Sequence, residues 1–305
     1  MDRRFALVLC LLAVLLFAAA VACTCDKEPA EDEDDDSHAD DNDTDDDDAG
    51  GDDIAEGWYV YMVDPETGWE SSMAIDTNHR VYIAYGYSSL KYATNLSGEW
   101  AISELDDAGG TRSIALDPFG AVHISYAGVK YATNASGSWT TEEFGSGPVF
   151  PDECHSSIAV DSDGKAHISY FTHKDALSLG YATNASGEWE KVLVDQGSYG
   201  EDTEIESVGL FNSIALDSEG HVHISYYCDY NDYDPDKYGG ELRYATNASG
   251  AWEITAIEWS YAEGDICGTG GYTSIAIDSD NYVHISYYDA TNDSLKYATN
   301  RPPEE

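Results

Sequence analysis

Ser213-Ile214-Ala215-Leu216-Asp217-Ser218-Glu219-Gly220-His221-Val222-His223-Ile224-Ser225-Tyr226 is one copy of a pattern that recurs five times between about residue 70 and the end of the chain. The copies open at Ser72, Ser113, Ser157, Ser213 and Ser274, and each Ser stands 4 positions before an Asp: Asp76, Asp117, Asp161, Asp217 and Asp278. Six positions after the Asp comes His123, His167, His223 or His284, with Tyr82 in that place in the first copy. A Tyr-Ala-Thr-Asn follows, and a Trp lies 8 positions beyond its Tyr at Trp100, Trp139, Trp189 and Trp252. Apolar or aromatic residues alternate with polar ones, which is the period of strands. Four short strands repeated at this period predict an all-β fold, a β-propeller of five four-stranded blades.

The spacings also sort the two faces of such a molecule. From the His (or Tyr82) to the next Tyr-Ala-Thr-Asn the steps are 10, 8, 14, 21 and 13, and from Trp to the next Ser they are 13, 18, 24 and 22. In an antiparallel blade the constant connections, 1–2 and 3–4, emerge together. The variable ones, 2–3 and 4–1, emerge on the opposite face, where binding loops usually sit. Asp-Ser-Glu-Gly and Asn-Ala-Ser-Gly suit the tight turns, because Asp, Asn and Gly tolerate positive φ. The last copy lacks a fourth strand, while Trp58-Tyr59-Val60-Tyr61-Met62-Val63-Asp64 matches the strand that begins at Trp100. We therefore expect the N-terminal strand to join the last blade and close the ring, removing two exposed edges.

Three zones precede or make up this repeat. Residues 1–22 read as a signal peptide: Arg3-Arg4, then an apolar run from Phe5 to Ala22. Ala20-Val21-Ala22-Cys23 resembles the lipobox of bacterial lipoproteins, with Ala20 where that family prefers Leu. The resemblance implies export and lipidation of Cys23, and an anchor in the bacterial cell envelope at the outer membrane or cell surface. Residues 23–53 hold that Cys and an acidic tether with 17 carboxylates and one Lys. Such a run repels itself and buries nothing. Residues 54–305 form the propeller, which carries about −30 of the net charge of −45. A surface this acidic argues against nucleic acid and anionic membranes as partners. It suits neutral or cationic partners, or calcium, and a monomer.

Cys154, Cys228 and Cys267 all fall on the variable face. Cys228 lies in the 2–3 loop of the fourth copy and Cys267 in the loop leaving it, so Cys228–Cys267 is the expected disulfide in an oxidising compartment. The four histidines recur once per blade and would lie far apart, so they are expected to build blades rather than to bind a metal. The repeated Asp residues are turn starters, and the repeated Trp residues are expected to pack between blades. Asn95, Asn134, Asn184 and Asn247 form sequons but read as hairpin residues.

Departures from the repeat mark the candidate site. The longest loops flank the fourth copy and supply Tyr199, Asp229, Tyr230, Tyr233, Trp259 and Tyr261 as candidate ligand-binding residues. Aromatic planes beside carboxylates suit sugars, and also a protein interface. Asp232, Asp234 and Asp236 make a candidate calcium site without the Gly of a tight calcium loop.

The turn Asp217-Ser218-Glu219-Gly220-His221-Val222-His223 resembles the Asp-box of sialidase-like propeller repeats. That family carries an arginine triad for the substrate carboxylate. Here Arg80 lies in a constant turn, Arg243 in a third strand and Arg301 in the tail, leaving Arg112 on the variable side, which disfavours a sialidase. Five-bladed propellers are also known among glycoside hydrolases and lectins, a likeness of fold alone. The leading expectation is a non-enzymatic, membrane-tethered module that binds glycan or protein near the fourth blade. One alternative is a glycoside hydrolase with paired carboxylates drawn from Glu70, Asp107, Glu153, Glu206 and Asp265. Another is a structural component of a surface assembly.

Overall fold

The computed structural model describes residues 59–145, 155–172, 177–199, 204–232, 238–262 and 268–303. The side chains of residues 199, 204, 205, 231, 232, 238, 261 and 262 fall outside that description. Among the described residues there are no helices, and twenty strands form five antiparallel sheets. The first sheet contains β1 (Ser72–Ile75), β2 (Val81–Tyr85), β3 (Leu90–Thr94) and β4 (Ala101–Asp106). The second contains β5 (Arg112–Leu116), β6 (Val122–Tyr126), β7 (Lys130–Thr133) and β8 (Thr140–Glu143). The third contains β9 (Ser156–Val160), β10 (Ala166–Thr172), β11 (Ser178–Thr183) and β12 (Glu190–Asp195). In the fourth, β13 (Ser198–Tyr199) is added to β14 (Glu204–Leu216), β15 (Val222–Asp232), β16 (Tyr238–Thr246) and β17 (Glu253–Ala262). The fifth has β18 (Thr269–Ile277), β19 (Val283–Asp289) and β20 (Ser294–Thr299). Strands within each sheet pair in chain order.

The repeated residues hold this arrangement together. The opening Ser of one sheet receives a backbone N–H from the next. Ile114 donates to Ser72 Oγ, Ile158 to Ser113, Ile214 to Ser157 and Ile275 to Ser213, each at 3.3 Å. First strands therefore stand side by side along the row of sheets. Each repeated Asp accepts two N–H groups of its own turn, as Asp217 does from Glu219 and His221. The repeated His then bridges strands: His223 lies 3.3 Å from Asp217 and 2.6 Å from the Tyr244 hydroxyl. In the first sheet Tyr82 donates directly to Asp76. The Asn side chain of each Tyr-Ala-Thr-Asn accepts the N–H that opens the second strand, at 2.8 Å in every sheet. Trp139, Trp189 and Trp252 pack edge-on against Tyr92, Tyr131 and Tyr181 of the preceding sheet, the inter-blade role expected of them.

A second contact between sheets depends on a bulge. In the first, third and fourth sheets one extra residue is inserted into the last strand, opposite Leu90/Lys91, Leu179/Gly180 and Leu242/Arg243. The bulge turns Asp106, Asp195 and Glu258 toward the next sheet. There Asp106 accepts from Tyr126 and Lys130, Asp195 from Tyr226 and Arg243, and Glu258 from Tyr287 and Lys296. The second sheet has no such bulge, and Phe144 packs on Tyr170 instead. Gly180 leaves room for that Tyr ring, since a Cβ there would lie 2.4 Å from Tyr170 Cζ.

The expected closing strand is not formed among the described residues. Val60–Met62 form no ladder and are 68–77% exposed, and β20 has β19 as its one neighbour. A strand exists only through its partners. What holds this segment is Asp64, which accepts from Tyr85 at 2.9 Å and Lys91 at 3.0 Å in the first sheet. Asp64 thus takes the place against the first sheet that Asp106 takes against the second.

The buried histidines make stability sensitive to acid. Burial lowers His123, His167 and His223 from their ordinary 6.5, against the opposing pull of Asp117, Asp161 and Asp217. The unfolded chain then binds protons first, so stability present above pH 6.5 is lost as the pH falls below it. A further loss follows between 3.8 and about 2. Burial opposes ionisation of Asp76 and Asp217, but the turn N–H groups and side-chain donors outweigh it and hold both at about 2. Melting temperature against pH should fall below pH 6.5 and again below 4. A flat profile between pH 7 and 5 would contradict the histidine contribution.

Candidate functional site

The fourth sheet is built to project. Its second and third strands have 11 and 9 residues, against 5 each in the first sheet. The extra length lies at the ends that meet the variable connections. Because side chains alternate across a strand, Tyr226, Cys228 and Tyr230 face one way, and Tyr227 and Asp229 the other. The expected site around this sheet is therefore split into two.

The first side faces the third sheet and centres on Arg243. Its Nη1 donates to Asp195 at 2.9 Å, its Nη2 to Glu206 at 2.9 Å and its Nε to Glu241 at 2.5 Å. The Tyr230 ring lies 5.8 Å from the guanidinium, and its hydroxyl donates to Glu241 at 3.0 Å. Tyr230 is thus engaged in an ion cluster. Cys228 is fully buried as a free thiol whose Sγ–H points at Glu206 Oε1, 3.4 Å away. Burial pushes this thiol well above its ordinary pKa. At the described end of the expected bridge the thiol faces inward to the ion cluster. Its expected partner Cys267 lies outside the described residues.

The second side faces the fifth sheet. The Tyr227 hydroxyl donates to Asp229 Oδ1 at 3.3 Å. Asp229 is half-buried as a residue, but its carboxyl group is desolvated, which pushes it up to about 6 against the opposing Tyr227 hydrogen bond. The Tyr227 ring lies over Gly240, where a Cβ would come within 2.4 Å of it.

From Tyr227 a row of rings crosses the first strands. Tyr227 and Phe211 are 6.2 Å apart, Phe211 and His155 4.6 Å, Phe211 and Tyr272 4.3 Å, and Tyr272 and Tyr288 6.4 Å. Phe211 and Tyr272 stand two positions before the repeated Ser, as do Glu70 and His155. Glu70, Phe211 and Tyr272 share a left-handed backbone, at φ 46°, 48° and 51°. Bulky residues rarely hold that conformation. In the fourth and fifth sheets it coincides with a bulge before Ser213 and Ser274, which turns the ring out of the ladder. Tyr272 is 70% exposed, and the Glu70 side chain is exposed as well.

Sequence reasoning missed this row. The signal was available: a fixed position, two before each Ser, whose residue changes from copy to copy. Of the residues it named, Asp229 belongs to the row and Tyr230 does not. Trp259 is 49% exposed on β17, where it pairs across the ladder with Glu241 of the Arg243 cluster. Tyr199 and Tyr261 are placed by backbone pairing with Ile205 and Gly239, and Asp232 with Glu204. Tyr233, Asp234, Asp236 and Cys23 lie outside the described residues. Of the loop carboxylates, Glu206 is committed to Arg243, Glu70 and Asp107 are exposed, and Glu153 and Asp265 are not described.

No protein-family profile and no curated protein matches the chain. Solved structures do. An ulvan lyase bound to its disaccharide repeat aligns at 14% identity and a TM-score of 0.46, over 70% of this chain and 63% of that one. This chain thus spans less than two thirds of the lyase. An α-L-arabinofuranosidase from Fusarium graminearum aligns at 10% identity and 0.42, over 77% and 93%. An α-L-arabinanase from Penicillium chrysogenum complexed with arabinobiose aligns at 9% and 0.42, over 76% and 92%. The class supported is an all-β, propeller-like protein of antiparallel sheets. The three matches named are carbohydrate-active enzymes, so the leading expectation of a non-enzymatic binding module has no counterpart among them; at these identities the likeness is one of fold alone.

Proposed function

We propose that this protein is a glycoside hydrolase acting on an uncharged glycan at its variable-loop face, with Asp229 as general acid and Glu70 as the second carboxylate. The observation that carries this reading is the row His155, Phe211, Tyr272 ending at Tyr227, whose hydroxyl holds Asp229. Flat rings suit the apolar faces of sugars. A carboxyl group that holds its proton up to about pH 6 can hand it to a departing glycosidic oxygen, and an exposed carboxylate can serve as nucleophile or base. Glu70 shares the repeat position and the left-handed backbone of the two ring-bearing residues, on the variable-loop side of its own sheet. A net charge of −45 repels polyanionic chains, which favours neutral ones.

The test is release of reducing sugar from arabinans, xylans, mannans and β-glucans by the whole chain, beside Asp229→Asn and Glu70→Gln. Activity on one class, lost in both variants, supports the reading. Silence on every class, or full activity in either variant, overturns it. In this reading the leader, Cys23 and the acidic tether, all outside the described residues, hold the enzyme outside the membrane.

The five sheets are, on the same proposal, five blades of a ring closed when residues 59–63 pair with β20. Support comes from the spacing of 6 from Trp58 to Asp64, equal to that from Trp100 to Asp106, Trp189 to Asp195 and Trp252 to Glu258. The β20 amides that point away from β19 should then resist hydrogen exchange and lose protection when residues 59–63 are deleted. Equal, fast exchange in both chains would refute closure.

A further inference from the structure

Two aromatic rings on the first sheet stand apart from the row just described. Trp69 precedes β1 and Tyr87 lies between β2 and β3, so both belong to the variable-loop face. They are 65% and 62% exposed, with ring centroids 5.9 Å apart and planes tilted by 55°. Side chains this large are seldom left in water as a close pair on separate loops without a use.

The loops beneath them are held with unusual force. The Gly86 N–H donates to the Trp69 carbonyl at 3.0 Å. Arg112 is 8% exposed and spends its Nη1 on backbone: the Trp69 carbonyl at 3.2 Å, the Glu70 carbonyl at 2.7 Å and the Gly86 carbonyl at short range. Its Nε and Nη2 are buried and find no partner among the described residues. Burying a guanidinium without a hydrogen-bonded carboxylate is costly, offset in part here by the charge of Glu70 nearby, and the return is the fixed placement of these two loops. A third segment closes in at Gly109, where a Cβ would lie 1.8 Å from the Tyr87 carbonyl oxygen. Arg112 thus positions Trp69, Tyr87 and the adjoining Glu70 as one unit.

We propose that Trp69 and Tyr87 form a second sugar subsite, taking a residue of the same uncharged glycan beyond the cleavage point, so that the enzyme acts within long chains. The inference rests on the hydrolase reading and deepens it. Glu70 connects the two parts: its carbonyl is in the Arg112 clamp, and it follows Trp69 directly in the chain. A pair of rings fixed before binding loses little freedom when a sugar stacks on it. The patch is two rings wide in an acidic surface, which fits a hydroxyl-rich chain better than a protein's broad apolar core.

The experiment compares oligosaccharides of two to eight units from the polysaccharide the enzyme cleaves. Trp69→Ala and Tyr87→Ala should each raise KM roughly tenfold for the longer oligomers, leaving kcat and the shortest cleaved substrate unchanged. A loss that is equal at all lengths, or no loss, overturns the subsite while leaving the hydrolase reading intact. Should the wild type cleave nothing, the hydrolase reading fails separately. The subsite is then judged by affinity electrophoresis on the same polysaccharides: retardation lost in both variants supports it, and unchanged or absent retardation overturns it. Arg112→Met serves as a check on placement: it should raise KM for the longer oligomers and, by releasing Glu70, also lower kcat at every length.

Discussion

Asp229→Asn is expected to lower glycan hydrolysis by about 10²–10⁴-fold, the range for loss of a general acid. The amide has nearly the carboxyl's shape and can still accept the Tyr227 hydroxyl, so the fold should be unchanged. What it lacks is an acidic proton. The sign of the pH dependence follows from the same group. A general acid works while protonated, and desolvation pushes Asp229 up to about 6. The wild-type kcat/KM should therefore fall as the pH rises through about 6, and Asp229→Asn should lose that basic limb. Aryl glycosides with good leaving groups need little protonation and should lose far less activity than the natural linkage. Tyr227→Phe removes the hydrogen bond that holds the carboxyl pKa down, so it should move the limb to higher pH. A variant that keeps both its rate and its basic limb would remove Asp229 from the mechanism.

Arg243→Met should be the most damaging single change to stability in the fourth sheet. The guanidinium holds Asp195, Glu206 and Glu241 across the junction with the third sheet, and all three are largely shielded from water. Removing it leaves three carboxylates close together without a counter-charge. Breaking a buried pair of this kind costs about 3–5 kcal/mol, which for a domain of this size is a fall in Tm of roughly 6–20 °C. Adding Glu241→Gln to Arg243→Met should recover part of the loss, since one of the stranded charges is gone. Equal melting of the single and double variants would mean that the cluster is not coupled in this way.

The legible part of this protein is whatever repeats. Asp217 starts a tight turn and His223 sits one strand beyond because both contacts are made within a few residues of chain. The same local chemistry recurs at Asp76, Asp117, Asp161 and Asp278. Period-two alternation places the strands, and constant against variable spacing separates the two faces. These features need no knowledge of distant neighbours, so the residue order by itself determined them.

The site was less legible, because it is assembled from positions far apart in the chain. Asp229 and Tyr230 are adjacent in sequence, yet the strand pleat sends one toward the aromatic row and the other into the Arg243 cluster. Bulges decide which carboxylates cross to the next sheet: Asp195 and Glu258 are turned outward by an extra residue, and Phe144 occupies the equivalent junction where that residue is missing. A one-residue slip in pairing has no mark in the alternation of residue types. Packing sets the Cys228 thiol inward beside Glu206, a contact that loop length does not reveal. The residue order by itself determined the strands, turns and sheet sequence, since those depend on neighbours in the chain. The tertiary structure alone decided which rings, carboxylates and guanidinium groups meet, because register, bulges and contacts between sheets set the direction of every side chain.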